Sequence, residues 1–212
     1  MADRTYVYID GESHFIRSEQ AWRALHGQGA DLGQLRYITQ SDDALVLVEP
    51  KAHVFWTRKM NPGVDRTIYF TAAACDDNTM HEYKVRLRSF DLDPHILKEP
   101  RNLADRRRNY LSNSHIIEKP KGVDIALAVR MLEDASSSYN TFDVCHLYTS
   151  DVDFEPLIKA VMAHGKKVFV HGYANGLADM SPLLHVPDKF YDLTGMLKDE
   201  CRLVPNGATR LL

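Results

Sequence analysis

The sequence predicts an α/β protein in which a mainly parallel sheet is covered by helices on both faces. The first strand-like run, Thr5–Ile9, is β-branched and aromatic throughout and lacks the polar alternation of a half-exposed strand. Runs of this kind alternate along the chain with segments of helical periodicity. Such alternation is typical of βαβ units, whose strands are parallel and whose helices pack against the sheet.

The predicted strands are short runs of apolar, β-branched and aromatic residues, bounded mostly by Gly, Pro, Asp or other polar residues. In chain order they are 5–9, 44–48, 53–56, 66–71, 95–97, 116–117, 143–148, 167–171 and 189–193. The predicted helices are segments in which apolar residues recur every three or four positions. They are 14–26, 31–40, 78–89, 122–135, 154–164 and 177–184.

Length and composition indicate an ordinary soluble protein. The chain has 212 residues, enough for one domain with a sizeable core, which we expect to span 1–200 with an elaboration at about 40–65 and a frayed tail at 201–212. Its net charge of −3 means that any surface that binds nucleic acid must be local.

Cysteine usage and hydropathy bear on the cellular context. The three cysteines are far apart and form no CxxC pair, so a zinc site or disulfide framework is not expected and a reducing cytoplasm fits better. No apolar run approaches the ~20 residues needed to cross a bilayer, so no membrane partner is expected. The sequence leaves a homo-oligomer open.

Acidic residues lie where predicted strands meet predicted helices. Asp10 follows the first strand, Asp124 begins the 122–135 helix, and Asp151 and Asp153 follow the strand at 143–148. Ligands of open α/β sheets bind outside the carboxyl ends of the strands. Clustered carboxylates repel one another unless a cation neutralises them, and their oxygens suit Mg²⁺ or Mn²⁺.

Helix capping is the alternative explanation for each of these aspartates. One of Asp151 and Asp153, preferably Asp153, is the expected cap of the helix that contains Glu155 and Pro156, and Asp124 sits where the helix dipole favours an anion. Capping explains each acid taken alone. The recurrence of acids at one sheet edge favours a metal site.

Three blocks of the sequence resemble the NYN domain family, LabA-like members of the PIN-like nuclease superfamily. They are 6-YVYIDGES-13, 121-KGVDIALAVRML-132 and 149-TSDVDFEPLIKAVMAHGKKVFVHG-172. The third block is the most specific, because the paired Asp, the Phe, Pro-Leu-Ile and Gly-Lys-x-Val all fall in register. The resemblance covers roughly residues 4–195 and implies a three-layer α/β/α sandwich that hydrolyses RNA phosphodiester bonds with one or two divalent metal ions.

The resemblance also implies roles for individual residues. Asp10, Asp124, Asp151 and Asp153 become the catalytic, metal-binding acids. We assign Asp10 and Asp151 as direct ligands of Mg²⁺ or Mn²⁺, and Asp124 and Asp153 as ligands that act directly or through water. Ser13 and Thr149 are expected to orient the ligands or the substrate.

The sequence departs from the family pattern in three places. Ser13 stands where members usually have Asn, Thr149-Ser150 replaces the usual Ser-Gly, and Arg130 occupies a position that is often Asp. The Arg130 departure would lower metal affinity or mark a degenerate site. An active, metal-dependent ribonuclease therefore competes with a catalytically degenerate module that binds RNA or a protein partner without turnover.

A basic tract at 98–121 is the expected docking surface for single-stranded RNA. It carries a local excess of positive charge, and Lys121 lies three residues before Asp124. The phosphate-binding candidates are Lys119, Lys121, Arg106, Arg107 and Arg108. A solvated loop is the alternative explanation, and binding through these residues should weaken steeply with salt.

Two other enzyme classes fit the sequence less well. A phosphatase that forms an aspartyl phosphate would need Asp-x-Asp after the first strand, where this chain has Asp10-Gly11-Glu12. A dinucleotide-binding fold would need GxGxxG at the same place, and that motif is missing there.

Overall fold

The protein is described by a computed structural model, which covers residues 3–27, 35–38, 44–46, 63–73, 76–98, 122–139, 141–175, 177–195 and 201–203. Its strands, numbered in chain order, are β1 Thr5–Asp10, β2 Leu35–Ile38, β3 Ala44–Val46, β4 Val64–Ala73, β5 Asp93–Lys98, β6 Val144–Tyr148, β7 Lys167–Gly172, β8 Lys189–Asp192 and β9 Cys201–Leu203. Its helices are α1 Gly11–His26, α2 Asp77–Arg88, α3 Val123–Ser136, α4 Glu155–Ala163 and α5 Pro182–His185, and a single 3₁₀ turn, Val152–Phe154, precedes α4.

Six strands form a central sheet in the order β5-β4-β1-β6-β7-β8. Every neighbouring pair in this sheet is parallel. The prediction of an α/β fold with a mainly parallel sheet is therefore confirmed. A second, three-stranded sheet has the order β3-β2-β9 and is antiparallel.

Helices α3 and α4 cover one face of the central sheet and form its apolar core. Leu127 of α3 and Ile158 of α4 are fully buried, as are Leu147 and Val170 of the strands beneath them. Burial of each such side chain contributes about 1.5–3 kcal/mol. This face accounts for every second residue of the apolar runs in the strands.

Helix α1 covers the opposite face, so the fold has three layers. Trp22 of α1 is 1% exposed, and His14 of the same helix packs its ring against the rings of Tyr148 and Tyr173. Parallel strands joined by right-handed crossovers place helices on opposite faces when the chain reverses its direction across the sheet. The chain makes that reversal between β5 and β6.

As a result, β1 and β6 are neighbours at the centre of the sheet, and the chain moves away from them in opposite directions. From β1 the chain proceeds outward through β4 to β5, and from β6 it proceeds outward through β7 to β8. The helices that follow β1 and β6 diverge to opposite faces. This strand order predicts a crevice at the carboxyl ends of these two strands, the place where ligands bind in open α/β sheets.

Three local predictions are wrong. Leu35–Ile38 form strand β2 where the spacing of apolar residues predicted a helix over 31–40. Only Pro182–His185 are helical within the helix predicted at 177–184, because a residue before proline is disfavoured in helical geometry and Ser181 is extended with ψ 130°. Cys201–Leu203 pair with β2, so this part of the predicted tail belongs to a sheet.

Several predictions concern residues outside the described ranges. These are the strands at 53–56 and 116–117, most of the 40–65 elaboration and the basic tract beyond residue 98. The division of the chain into one domain at 1–200 and a tail stays a prediction. Of the helices in the described part of the chain, none combines the length and apolar character that a membrane span needs.

Candidate active site

Asp10 connects the end of β1 directly to the start of α1. Its side chain is the N-cap of that helix, with Oδ1 accepting a hydrogen bond from the backbone N–H of Ser13 at 3.1 Å. Both residues are 2% exposed. Helix α1 begins at Gly11, three residues earlier than predicted, because this cap satisfies one of the helix's first amides.

Gly11 lets an aromatic side chain approach the start of α1. A Cβ atom at this position would lie 2.4 Å from the hydroxyl oxygen of Tyr69 in β4. Burial, together with the nearby Tyr83 and Asp10, raises the pKa of Tyr69 well above its ordinary value. The phenol therefore stays protonated beside the first acid.

Thr149 joins the end of β6 to Asp10. Its hydroxyl donates to Oδ2 of Asp10 across 3.4 Å, a long contact for this type of bond, and accepts from the backbone N–H of Asp151 at 3.1 Å. Thr149 is 1% exposed, so little water competes for these contacts. One hydroxyl thus links the two strand ends that border the crevice.

The segment after β6 packs closely on the end of β7. A Cβ atom on Gly172 would lie 2.4 Å from the backbone oxygen of Thr149 and 2.7 Å from the hydroxyl of Ser150. The Ser150 hydroxyl accepts from the N–H of Tyr173 at 2.8 Å. Thr149 keeps the hydroxyl of the family's usual Ser, and Ser150 in place of Gly adds a second hydroxyl that holds this segment against β7.

Asp151 is a cap, and Asp153 is not. The Oδ1 atom of Asp151 accepts from the N–H of Asp153 at 3.1 Å and caps the 3₁₀ turn. Helix α4 follows with Phe154 at its N-cap position and no side-chain cap, so the expectation that Asp153 caps this helix is wrong. Asp151 is half-buried at the crevice, and Asp153 is exposed.

Two cavities border the 3₁₀ turn. One, of about 790 Å³, is lined by Asp151, Asp153 and Arg17, among others. The second, of about 420 Å³, lies between α3 and α4 and is lined by Asp124 and Asp153. Asp153 lines both cavities and so lies between Asp151 and Asp124. Three of the four predicted acids thus line neighbouring cavities, and the buried Asp10 is connected to them through Thr149.

The described residues do not gather these acids into a tight cluster. Nowhere in the described part of the chain do three or more His, Cys, Asp or Glu side chains come together in an arrangement that could hold a metal ion. The predicted phosphate contacts Arg106, Arg107, Arg108, Lys119 and Lys121 lie outside the described residues. Their role stays a prediction, as do the roles of the four acids.

The Arg130 side chain lies between its own helix, α3, and the strand β1 beneath it, away from Asp124. Six residues separate the two, about 9 Å along the axis. Its Nε donates to Oδ2 of Asp134 at 2.8 Å, and the hydroxyl of Tyr8 donates to the same oxygen at 2.9 Å. Arg130, which stands where family members often have Asp, is thus paired with a carboxylate of its own helix.

Buried histidines form a cluster that the sequence did not reveal. His146 and His171 lie 2.7 Å apart, Nδ1 to Nε2, and the His171 ring stacks between Tyr148 and Tyr191 at 4.4 and 4.6 Å. Burial lowers the pKa of His146, and likewise that of His14, to about 4, and it lowers the pKa of His171 as well. The sequence places His146 in the strand β6 and His171 in the strand β7. It does not show that the two side chains meet, because that depends on the register of the two strands.

A model of the NYN domain family matches residues 4–194. The chain belongs to the NYN domain family. NYN domains are generally nuclease-like, and the resemblance of the three sequence blocks is confirmed. Among solved structures, the chain is similar to a protein of unknown function from Vibrio parahaemolyticus, with 16% identity, a TM-score of 0.49 and coverage of 90% of this chain and 93% of that one. None of the curated proteins matches the chain.

Proposed function

We propose that this NYN protein is a divalent-metal-dependent ribonuclease that hydrolyses phosphodiester bonds of single-stranded RNA. The observation that carries the proposal is the connection from Asp10 through the Thr149 hydroxyl to Asp151. It brings two acids to the crevice between β1 and β6, where the strand order predicts a ligand site. Membership of a generally nuclease-like family supports the same chemistry.

The donor set fits Mg²⁺ or Mn²⁺. Mg²⁺ is commonly held by one or two carboxylates, with waters and substrate phosphates completing its shell. We assign Asp10 and Asp151 as that pair because Thr149 links their segments. Asp153 and Asp124 add carboxylates that line the two neighbouring cavities. When bound, a divalent cation lowers the pKa of water and neutralises the charge that develops on the phosphate and the leaving oxygen.

The protein's own residues orient the acids. The Ser13 amide and the Thr149 hydroxyl hold the two oxygens of Asp10, and the Asp153 amide holds one oxygen of Asp151. Such contacts fix the direction of a ligand side chain and reduce the reorganisation needed during reaction. Thr149 is central because it contacts both acid-bearing segments.

The absence of a three-residue metal group in the described part of the chain favours a second candidate. In that case the protein is a degenerate NYN module that binds RNA or a protein partner without cutting RNA. Both candidates allow RNA binding, and they make opposite predictions for turnover.

Cleavage of a labelled single-stranded RNA with Mn²⁺ or Mg²⁺ separates them. We expect cleavage that EDTA abolishes and that Asp151→Asn reduces by at least about 100-fold, since the variant loses a charge needed in the transition state. Asp3→Asn is the matched control, because Asp3 is exposed beyond the other end of β1. RNA binding by a folded wild-type protein with no cleavage under any metal would establish the degenerate module instead.

A further inference from the structure

Among the described residues that line the cavity of about 790 Å³ beside the 3₁₀ turn, one is a cation and three are acids. Arg17 lines it together with Asp151, Asp153 and Glu155. Arg17 lies one helical turn beyond Ser13, so it is on the same side of α1 as the residue whose amide donates to the Asp10 cap. The guanidinium group is thus placed near the acids that the proposed function uses.

Those acids, which the structure describes, do not form ion pairs with Arg17. Its Nη1 donates to Oε1 of Gln20 at 3.0 Å, and Arg17 forms no ion pair with any carboxylate in the described residues. The half-buried guanidinium has five N–H donors in a fixed fork that matches phosphate geometry. A cation that lines an acidic cavity without pairing to its acids is suited to an anionic ligand.

The opposite wall of the cavity is apolar with one buried hydroxyl. Leu177, Pro182 and Met180 line it, and Met180 is 84% exposed. Ser181, which also lines the cavity, is 6% exposed, and its hydroxyl has no hydrogen-bond partner within the described ranges. Apolar side chains pack against sugars and bases, so these residues are suited to the apolar parts of a nucleotide.

We propose that this cavity is a nucleotide subsite, in which Arg17 contacts a backbone phosphate next to the scissile one and the wall of Leu177, Met180 and Ser181 holds the adjoining sugar and base. The inference rests on the proposed ribonuclease function and adds a substrate-positioning residue to it. The cavity's volume lies within the range of small-ligand pockets, which suits one or two unpaired nucleotides.

The test uses Arg17→Gln, Arg17→Lys and a matched control, Arg88→Gln. Arg88 is an exposed helical arginine that lines a separate cavity with Val64 and Asp65 at the amino end of β4, the opposite edge of the sheet. Cleavage is measured with single-stranded RNA in which each phosphate in turn is replaced by an uncharged methylphosphonate. Binding is measured over a range of salt concentrations.

We expect Arg17→Gln to lower kcat/KM about tenfold or more, chiefly through KM, because the contacted phosphate does not react. The slope of log affinity against log salt should fall by about 0.7. One methylphosphonate position should harm the wild type and have no further effect in Arg17→Gln. Arg17→Lys should keep the salt slope and lose part of the affinity, and Arg88→Gln should match the wild type.

The outcomes separate the two proposals. If wild-type protein cuts RNA but Arg17→Gln matches Arg88→Gln in KM and salt slope, the subsite is wrong and the ribonuclease stands. The same holds if every methylphosphonate carries an equal penalty in both proteins. Wild-type protein that neither binds nor cuts RNA overturns the ribonuclease and the subsite with it. Should Arg17→Gln fail to fold, Arg17→Lys carries the test, because an unchanged KM in a phosphate-contacting position overturns the subsite.

Discussion

The two faces of the central sheet bury different kinds of side chain. The face under α3 and α4 is mainly aliphatic, with fully buried residues such as Leu147 and Ile158 beside a few aromatic rings such as Phe142. The face under α1 buries His14, His146 and His171 among tyrosine rings. Aliphatic packing does not depend on pH, whereas a buried neutral imidazole is stable only while it stays unprotonated. The stability contributed by the α1 face should therefore depend on pH, whereas the stability contributed by the opposite face should not.

The largest effect is expected from a cavity in the aliphatic face. Ile158→Ala should lower the free energy of unfolding by about 2–5 kcal/mol, because a fully buried side chain loses both its transfer energy and its packing. Urea denaturation measures the loss. Ile125→Ala is the control, since Ile125 on neighbouring α3 is 69% exposed and should change stability by less than about 0.5 kcal/mol. Equal losses in the two variants would show that this face is not a packed core.

The histidine face should respond to acid. The pKa of His14 is about 4 in the folded protein, below the ordinary 6.5, because burial disfavours its charged form. The unfolded chain therefore takes up a proton first as pH falls. The stability contribution is complete above about pH 6.5 and is lost toward pH 4, by about 3 kcal/mol for His14 at 1.36 kcal/mol per pKa unit.

Unfolding free energies measured from pH 7 to pH 4 test this, with His14→Phe compared with wild type. The unfolding free energy of the variant should fall less steeply between pH 7 and pH 4. His146 and His171 should account for part of the decrease that remains. His164→Gln is the control because His164 is exposed at the end of α4. An identical pH dependence in His14→Phe and wild type would mean that the buried ring is not the source.

The smallest effect is expected from the Tyr8 hydroxyl, a polar group on the mainly aliphatic face. Tyr8→Phe removes the hydrogen bond to Asp134, which keeps its contact with Arg130, so we expect a loss of about 1 kcal/mol in urea denaturation. Tyr139→Phe, at a site that is 89% exposed, should have no effect. A loss above about 3 kcal/mol would show that Arg130 and Asp134 depend on the phenol for their arrangement.

Local sequence predicted the parts of the fold whose causes are local. Continuous apolar runs identified β1, β6 and β7, because strands buried on both faces need no polar alternation. Since the strands are parallel, the same reasoning correctly placed Asp10 and Asp151 at one edge of the sheet. The catalytic and metal-binding roles of these acids were not deducible from position and remain to be tested.

The remaining features depend on partners distant in sequence. Leu35–Ile38 have helix-compatible spacing, yet they pair with Cys201–Leu203, and no local pattern contains that information. The His146–His171 contact requires the register of two strands. Asp151 replaced Asp153 as a cap because a 3₁₀ turn separates the strand from α4, and a shift of two residues is within the ordinary uncertainty of helix boundaries.

The pairing of β2 with β9 also sets an order of assembly during synthesis. Strand β3 leaves the ribosome soon after β2 and can form a hairpin with it, whereas Leu203, the partner of Leu35, is made on the order of ten seconds or more later. Until then one edge of β2 has unpaired backbone amides and carbonyls, which can join strands of other chains. The arrival of β9 pairs that edge of β2 and makes the three residues of β9 an outer strand of the sheet, so the backbone hydrogen bonds of β2 are complete only after β9 is made.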